Sequence, residues 1–86
     1  MEKKWCVYIL ECLDGSYYTG VTMNIEERVK KHVNGKGSKY VYSKGFKKIL
    51  IVVDCETKSS ACKTEYAIKQ LPKNEKLDWL LNKSKI

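Results

Sequence analysis

Hydrophobic and polar positions along these 86 residues switch between a strand period and a helix period. Residues 5–12 (WCVYILEC) are apolar or aromatic at nearly every position, the pattern of a strand covered on both faces. Leu13-Asp14-Gly15-Ser16 then reads as a turn and residues 17–22 (YYTGVT) as a second strand, so the chain begins with a β-hairpin. Asn24 followed by Glu27 is a variant capping box. The helix it opens runs to about Val33 and stops at Asn34-Gly35. Gly, Ser, Lys and Tyr fill residues 35–47, which predicts a mobile basic loop. KILIVVD at 48–54 is a strand. A second helix, capped by Ser59 or Ser60, reaches about Leu71 and is ended by Pro72. A last helix over about 74–83 shows Leu77, Leu80 and Leu81 on one face.

The predicted fold is α+β, a three-stranded β-sheet with helices packed against it in the order β-β-α-β-α-α. Eighty-six residues make a single domain, 1–86, whose core buries roughly 60% of the unfolded surface. The hairpin pair must be antiparallel. The direction of the strand at 48–54 is left open, because it follows a helical crossover.

Charge changes the picture. Seventeen Lys and Arg against ten acids give +7. Between Arg28 and Lys48 lie eight basic residues and no acid. A one-signed run of this kind gathers polyanions and holds phosphates through counterion release, which favours nucleic acid over a merely solvated surface. Cysteines at 6, 12, 55 and 62 lack the paired short spacings of a zinc site. They are expected as free thiols in a reducing cytoplasmic setting. Strand-like sequence begins at Trp5, so no signal peptide is expected, and no apolar run nears the ~20 residues needed to span a bilayer.

Helical arithmetic singles out further residues. With Ile25 at zero, Val29 falls near about 40° and Val33 near about 80°, the stripe expected to face the sheet. His32 at about 340° and Arg28 at about 300° then stack one turn apart at the edge of that stripe. A histidine there is most often a packed core residue. An arginine there needs an anionic partner, because an unpaired buried charge costs several kcal/mol. On the later helix, Glu65 leans toward the sheet side beside Ala61 and Ile68, where a salt bridge to Arg28 would be its structural role.

CVY at 6–8 and YTG at 18–20, ten positions apart at their tyrosines, resemble the paired half-motifs of the GIY-YIG nuclease family. NIEERVKKH places Arg28 and His32 where that family has a helical Arg and, in several branches, a His. ACKTEYAIKQL resembles the helix bearing its metal-binding Glu, here Glu65. The likeness covers nearly the whole chain and is greatest to the short stand-alone bacterial branch. Val7, Cys6 and Thr19 depart mildly from the half-motifs. The Asn that longer members carry after the metal-binding helix has only Asn82 as a candidate here.

The resemblance implies an endonuclease dependent on Mg²⁺ or Mn²⁺ that hydrolyses phosphodiester bonds in nucleic acid, DNA favoured, in repair or recombination. Glu65 would hold the metal, Arg28 would offset transition-state charge, and His32 would relay a proton or bind a phosphate. Tyr8 or Tyr18 would activate water; which one is left open, with Tyr18 favoured. Lys36, Lys39, Tyr40 and Lys44 would hold the nucleic-acid backbone, Tyr40 by stacking. A shared site needs both tyrosines on one face, which requires a three-residue Leu13-Asp14-Gly15 loop pairing Leu10 with Tyr18. A two-residue loop would separate them. Two rivals remain: a binding module on the same fold without turnover, and a protein-interaction adaptor. A protein partner supplying specificity fits either the nuclease or its rivals, since 86 residues leave no separate recognition domain.

Overall fold

The computed structural model describes residues 4–84. Strand β1 (Trp5–Cys12) is the centre of a three-stranded sheet, flanked by β2 (Tyr17–Thr22) and β3 (Phe46–Cys55) in the order β2-β1-β3. Both neighbours run antiparallel to β1, which settles the direction of β3. Helices α1 (Ile25–Val33) and α2 (Lys39–Lys44) precede β3, and α3 (Lys58–Lys69) and α4 (Lys73–Ser84) follow it. The order β-β-α-β-α-α therefore holds, with one short helix added before β3.

The near-continuous apolar run of β1 has the expected cause. Its odd residues Val7 and Ile9 pack with Ala61, Ile68 and Leu80 of α3 and α4. Its even residues Tyr8, Leu10 and Cys12 pack with Ile25 of α1 and Val41 of α2. Alternate side chains of one strand thus serve two cores.

The hairpin has the three-residue loop. Gly15 takes a left-handed φ of +88°, Gly15 N–H donates to Cys12 O at 3.0 Å, and Cys12 N–H donates to Ser16 O at 2.8 Å. Asp14 stiffens the turn by accepting from Ser16 N–H at 3.0 Å. Leu10 pairs with Tyr18 and Tyr8 with Gly20, so both tyrosines lie on the α1 side of the sheet. Gly20 has no freedom to be anything larger: a Cβ there would sit 2.5 Å from the Tyr8 hydroxyl oxygen.

Four expectations are corrected. Residues 35–47 are not an open loop: α2 spans Lys39–Lys44 and β3 begins at Phe46. Ser38 caps α2 by accepting from Tyr40 N–H, and Val41 plugs into the core at 1% exposure, an anchor that a Lys- and Ser-rich stretch conceals. On α1, Val33 is 63% exposed while His32 is buried to 2%, so the buried stripe is centred nearer His32 than the apolar count suggests. The cap of α3 is Thr57, whose hydroxyl accepts from Ser60 N–H at 3.0 Å, rather than Ser59 or Ser60. On α4, Leu80 is fully buried but Leu81 faces outward.

Candidate active site

Tyr8 is the hub of the α1 face. Its side chain is fully buried, and its hydroxyl lies 2.9 Å from His32 Nε2. The Arg28 guanidinium acts electrostatically on the same hydroxyl. Tyr18 is 6.3 Å away between ring centroids, and the His32 ring meets both tyrosines edge-on at 5.8 and 5.6 Å. A β-bulge in β3 pairs Phe46 with Cys12 and so turns Phe46 to this face, where it lies parallel to His32 at 6.4 Å. Tyr40 of α2 stacks on Tyr18 at 6.0 Å.

Electrostatics divide these groups. Burial, and next the neighbouring Tyr18, push the Tyr8 phenol far above its ordinary range; Arg28 opposes this without reversing it. Burial and then Arg28 lower the His32 pKa from its usual 6.5. A neutral imidazole therefore faces a protonated phenol at pH 7. Among the described residues His32 Nδ1 has no hydrogen-bond partner, and a Cβ on Gly37 would come within 2.6 Å of it, so the chain closes directly over this nitrogen. Neither Gly37 nor Phe46 carries a signal that sequence reasoning could have read. Gly20 did, as the last letter of YTG.

Tyr8, Tyr18, Arg28, His32 and Tyr40 are thus brought together. Glu65 is not part of their contacts. It is half-buried on α3, which packs against the other face of the sheet, and it does not pair with Arg28; its carboxylate lies 3.5 Å from Lys69 Nζ one turn on. The two faces meet at β2, an edge strand. There a groove of about 300 Å³ is lined by Tyr17, Tyr18, Tyr40, Lys69 and Lys76, so the partner of Glu65 shares a wall with Tyr18. Lys76 Nζ donates to Ile68 O at 2.8 Å, and burial followed by Lys69 lowers its pKa. Lys73 extends the basic rim, its ammonium 4.7 Å over the Tyr17 ring and bonded to Gly15 O.

The other expected contacts divide. Lys36 and Lys39 are exposed. Lys44 is held by Asp14 of the hairpin at 3.4 Å, so it is less free for phosphate than its place in the basic run implies. Asn82 is exposed on α4, a helix that packs on the far face. Among the described residues, no three of His, Cys, Asp and Glu gather as a closed metal site. A single hard carboxylate nevertheless suits Mg²⁺ or Mn²⁺, which keep several waters and complete their shell from substrate phosphates. Glu65 can serve in this way once Lys69 releases it.

The sequence profile of the GIY-YIG catalytic domain matches residues 4–78. The chain belongs to the GIY-YIG family. Its relatives are short bacterial proteins of similar length. A UPF0213 protein of Oceanobacillus iheyensis is 48% identical over 90% of each chain. One from Clostridium perfringens is 46% identical over 91% of this chain and 84% of its own. The solution NMR structure of a UPF0213 protein from Bacillus halodurans matches with a TM-score of 0.57 and 38% identity, covering 94% of this chain and 86% of that one. The GIY-YIG half-motifs are here the two tyrosine-bearing strands of the hairpin, and the motif glycine is the floor beneath Tyr8.

Proposed function

We propose that the protein is a divalent-metal-dependent endonuclease that hydrolyses phosphodiester bonds in nucleic acid, DNA before RNA, in repair or recombination. One observation carries this reading: an accessible tyrosine, Tyr18, shares a cluster with Arg28 and opens onto a lysine-lined groove. A purely structural cluster would have no use for that opening.

The roles follow from access. Tyr8 is fully buried and holds its proton, so it and His32 position the ring of Tyr18 and the guanidinium of Arg28. Tyr18, half-exposed on the groove, gives its own hydroxyl proton to solvent and, as phenolate, takes the proton of the attacking water. Arg28 offers its fork of donors to the phosphate as charge builds. Lys69 and Lys76 hold flanking backbone, and Tyr40 on Tyr18 gives an aromatic platform for a base. Glu65 would hold Mg²⁺ or Mn²⁺, which when bound polarises the phosphate and stabilises the leaving oxygen. Four free cysteines, three of them buried, suit a reducing cytoplasm. Among the described residues no helix is long and apolar enough to cross a membrane.

A binding module without turnover is the second reading, favoured by the ion pair that occupies Glu65. Incubation with labelled DNA and RNA substrates in Mn²⁺ separates the two. Cleavage by the natural chain, lost by on the order of 100-fold or more in Glu65→Gln with binding retained, supports the nuclease. Binding without cleavage by either chain overturns it.

A further inference from the structure

A second concavity lies on the other side of Arg28. We propose that this cleft, about 400 Å³ and lined by Trp5, Met23, Asn24, Glu27, Arg28 and Lys31, binds one nucleobase, guanine before the others, of the nucleotide next to the phosphate that Arg28 engages. The proposal rests on the nuclease reading for the word phosphate, but the cleft itself does not depend on turnover.

Helix spacing defines the cleft. Positions 25, 28, 29 and 32 of α1 turn toward the sheet, whereas 24, 27, 28 and 31 share the adjoining side. Arg28 belongs to both sets. It acts on the Tyr8 hydroxyl and also walls the cleft. A strand whose phosphate meets Arg28 therefore has a neighbouring nucleotide within reach of this opening. The volume falls in the lower part of the range for small-ligand pockets, roughly 300–1,000 Å³.

The lining suits a base. Trp5, half-buried at the start of β1, packs against the α3 and α4 core with the Lys58 ammonium 5.6 Å from its ring, and the part of it that lines the cleft joins exposed Met23 as an apolar wall for a base. The polar groups come from α1. Glu27 N–H is satisfied by Asn24 Oδ1 at 3.1 Å, while the Glu27 carboxylate has only a long contact of 3.4 Å from Asn24 Nδ2. A carboxylate has about four acceptor positions, so most of its capacity is unused. Lys31, one turn on, brings donors to the same cleft. Guanine offers two adjacent N–H donors to a carboxylate and a carbonyl oxygen to an ammonium. Adenine and cytosine each set a bare ring nitrogen beside their amine, which a carboxylate repels. Thymine offers one N–H between two carbonyls.

The test uses the non-cleaving Glu65→Gln chain, ¹⁵N-labelled, and the trinucleotides TGT, TAT, TCT and TTT. The Trp5 indole N–H signal, told from that of Trp79 by a Trp79→Phe spectrum, reports the cleft directly. We expect it to shift on titration, with TGT binding about tenfold more tightly than TTT, the scale of one bidentate base contact. In Glu27→Gln, whose spectrum shows independently that it folds, that preference should fall below about twofold while TTT binding is kept. A silent Trp5 signal, equal affinity for the four trinucleotides, or an undiminished preference in Glu27→Gln each overturns the proposal. Cleavage of longer DNA by the natural chain is scored separately. Cleavage with a silent Trp5 sinks the cleft and spares the nuclease; a guanine-selective Trp5 without cleavage does the reverse.

Discussion

On one side of the sheet, Val7 and Ile9 meet Ala61, Ile68 and Leu80, all small or aliphatic and all fully buried. On the other, the interleaved residues Tyr8 and Leu10 meet an imidazole, a guanidinium and three further aromatic rings. The first side buries the Thr64 hydroxyl, satisfied within α3 by donating to Ser60 O at 2.9 Å, and packs chiefly for density. The second buries a phenol, a neutral histidine and an orphaned Nδ1, and it tolerates them only through close approaches at Gly20 and Gly37. The α3 and α4 side is therefore expected to carry more of the stability, because the α1 and α2 side buries polar groups whose desolvation costs free energy.

The sharpest way to break this contrast is to remove bulk from each side in turn. Ile68→Ala, at a fully buried position, should cost about 2–5 kcal/mol, a large share of the stability of so small a domain. Tyr8→Phe removes one hydroxyl and should cost only about 1 kcal/mol in unfolding by urea. If Tyr8→Phe proves as damaging as Ile68→Ala, the two sides do not differ in the way described.

A smaller effect tests the approach at Gly20. An alanine methyl there would meet the Tyr8 hydroxyl at 2.5 Å, and the ring has no space to retreat into at zero exposure. Gly20→Ala should destabilise by about 1–3 kcal/mol, the usual scale of overpacking, and should displace the Tyr8–His32 pair. An unchanged melting midpoint and unperturbed His32 ring signals by NMR would show that the floor is not tight.

How far the sequence carried depended on which side was being read. The aliphatic core and the central place of β1 follow from period, whereas the three-residue hairpin register, closed with Gly15 left-handed, followed only from the need to put both tyrosines on one face, since turn chemistry alone also allows a two-residue loop. Arg28 and His32 were visible as neighbours by helical spacing. Two things were hidden. Val41 anchors α2 from within a run of lysines, so composition disguised a helix as a loop. The position of Glu65 depends on how α3 crosses the sheet edge, a tertiary matter that helical angles alone do not fix; its carboxylate pairs locally with Lys69, not with Arg28.

His32 provides a pH test of the second side. It is the sole histidine, and its folded pKa is lowered by burial and by Arg28. Its contribution is therefore present in full above the unfolded value near 6.5 and is lost as pH falls toward the lower folded value, because the unfolded chain binds the proton first. Unfolding free energy should decline from pH 7 toward pH 5 by up to about 1.4 kcal/mol per unit. His32→Gln, which does not titrate and keeps an amide for the Tyr8 hydroxyl, should flatten that slope. A slope that survives the substitution would assign the pH response to other groups.

The smallest effect concerns the exposed rim of the α1 and α2 side, where charge acts without packing. Lys36 and Lys39 are solvent-facing, whereas Lys44 is already engaged by Asp14. Each lysine that truly neutralises a phosphate contributes about 0.9 to the slope of log affinity against log salt on duplex DNA and about 0.7 on single strands. Changing Lys36 and Lys39 together to Gln should therefore flatten the slope by about 1.4–1.8 and weaken binding alike across sequences, with the unfolding midpoint unmoved. Lys44→Gln should change the slope by well under half a unit, since its partner Asp14 offsets it. The contrast between the pair and Lys44 is what carries information. Three equal contributions would mean that Asp14 releases Lys44 on binding. If the pair leaves the slope unchanged, the phosphates run instead along Lys69, Lys73 and Lys76 at the β2 edge, and both sides of the sheet, not one, meet the nucleic acid.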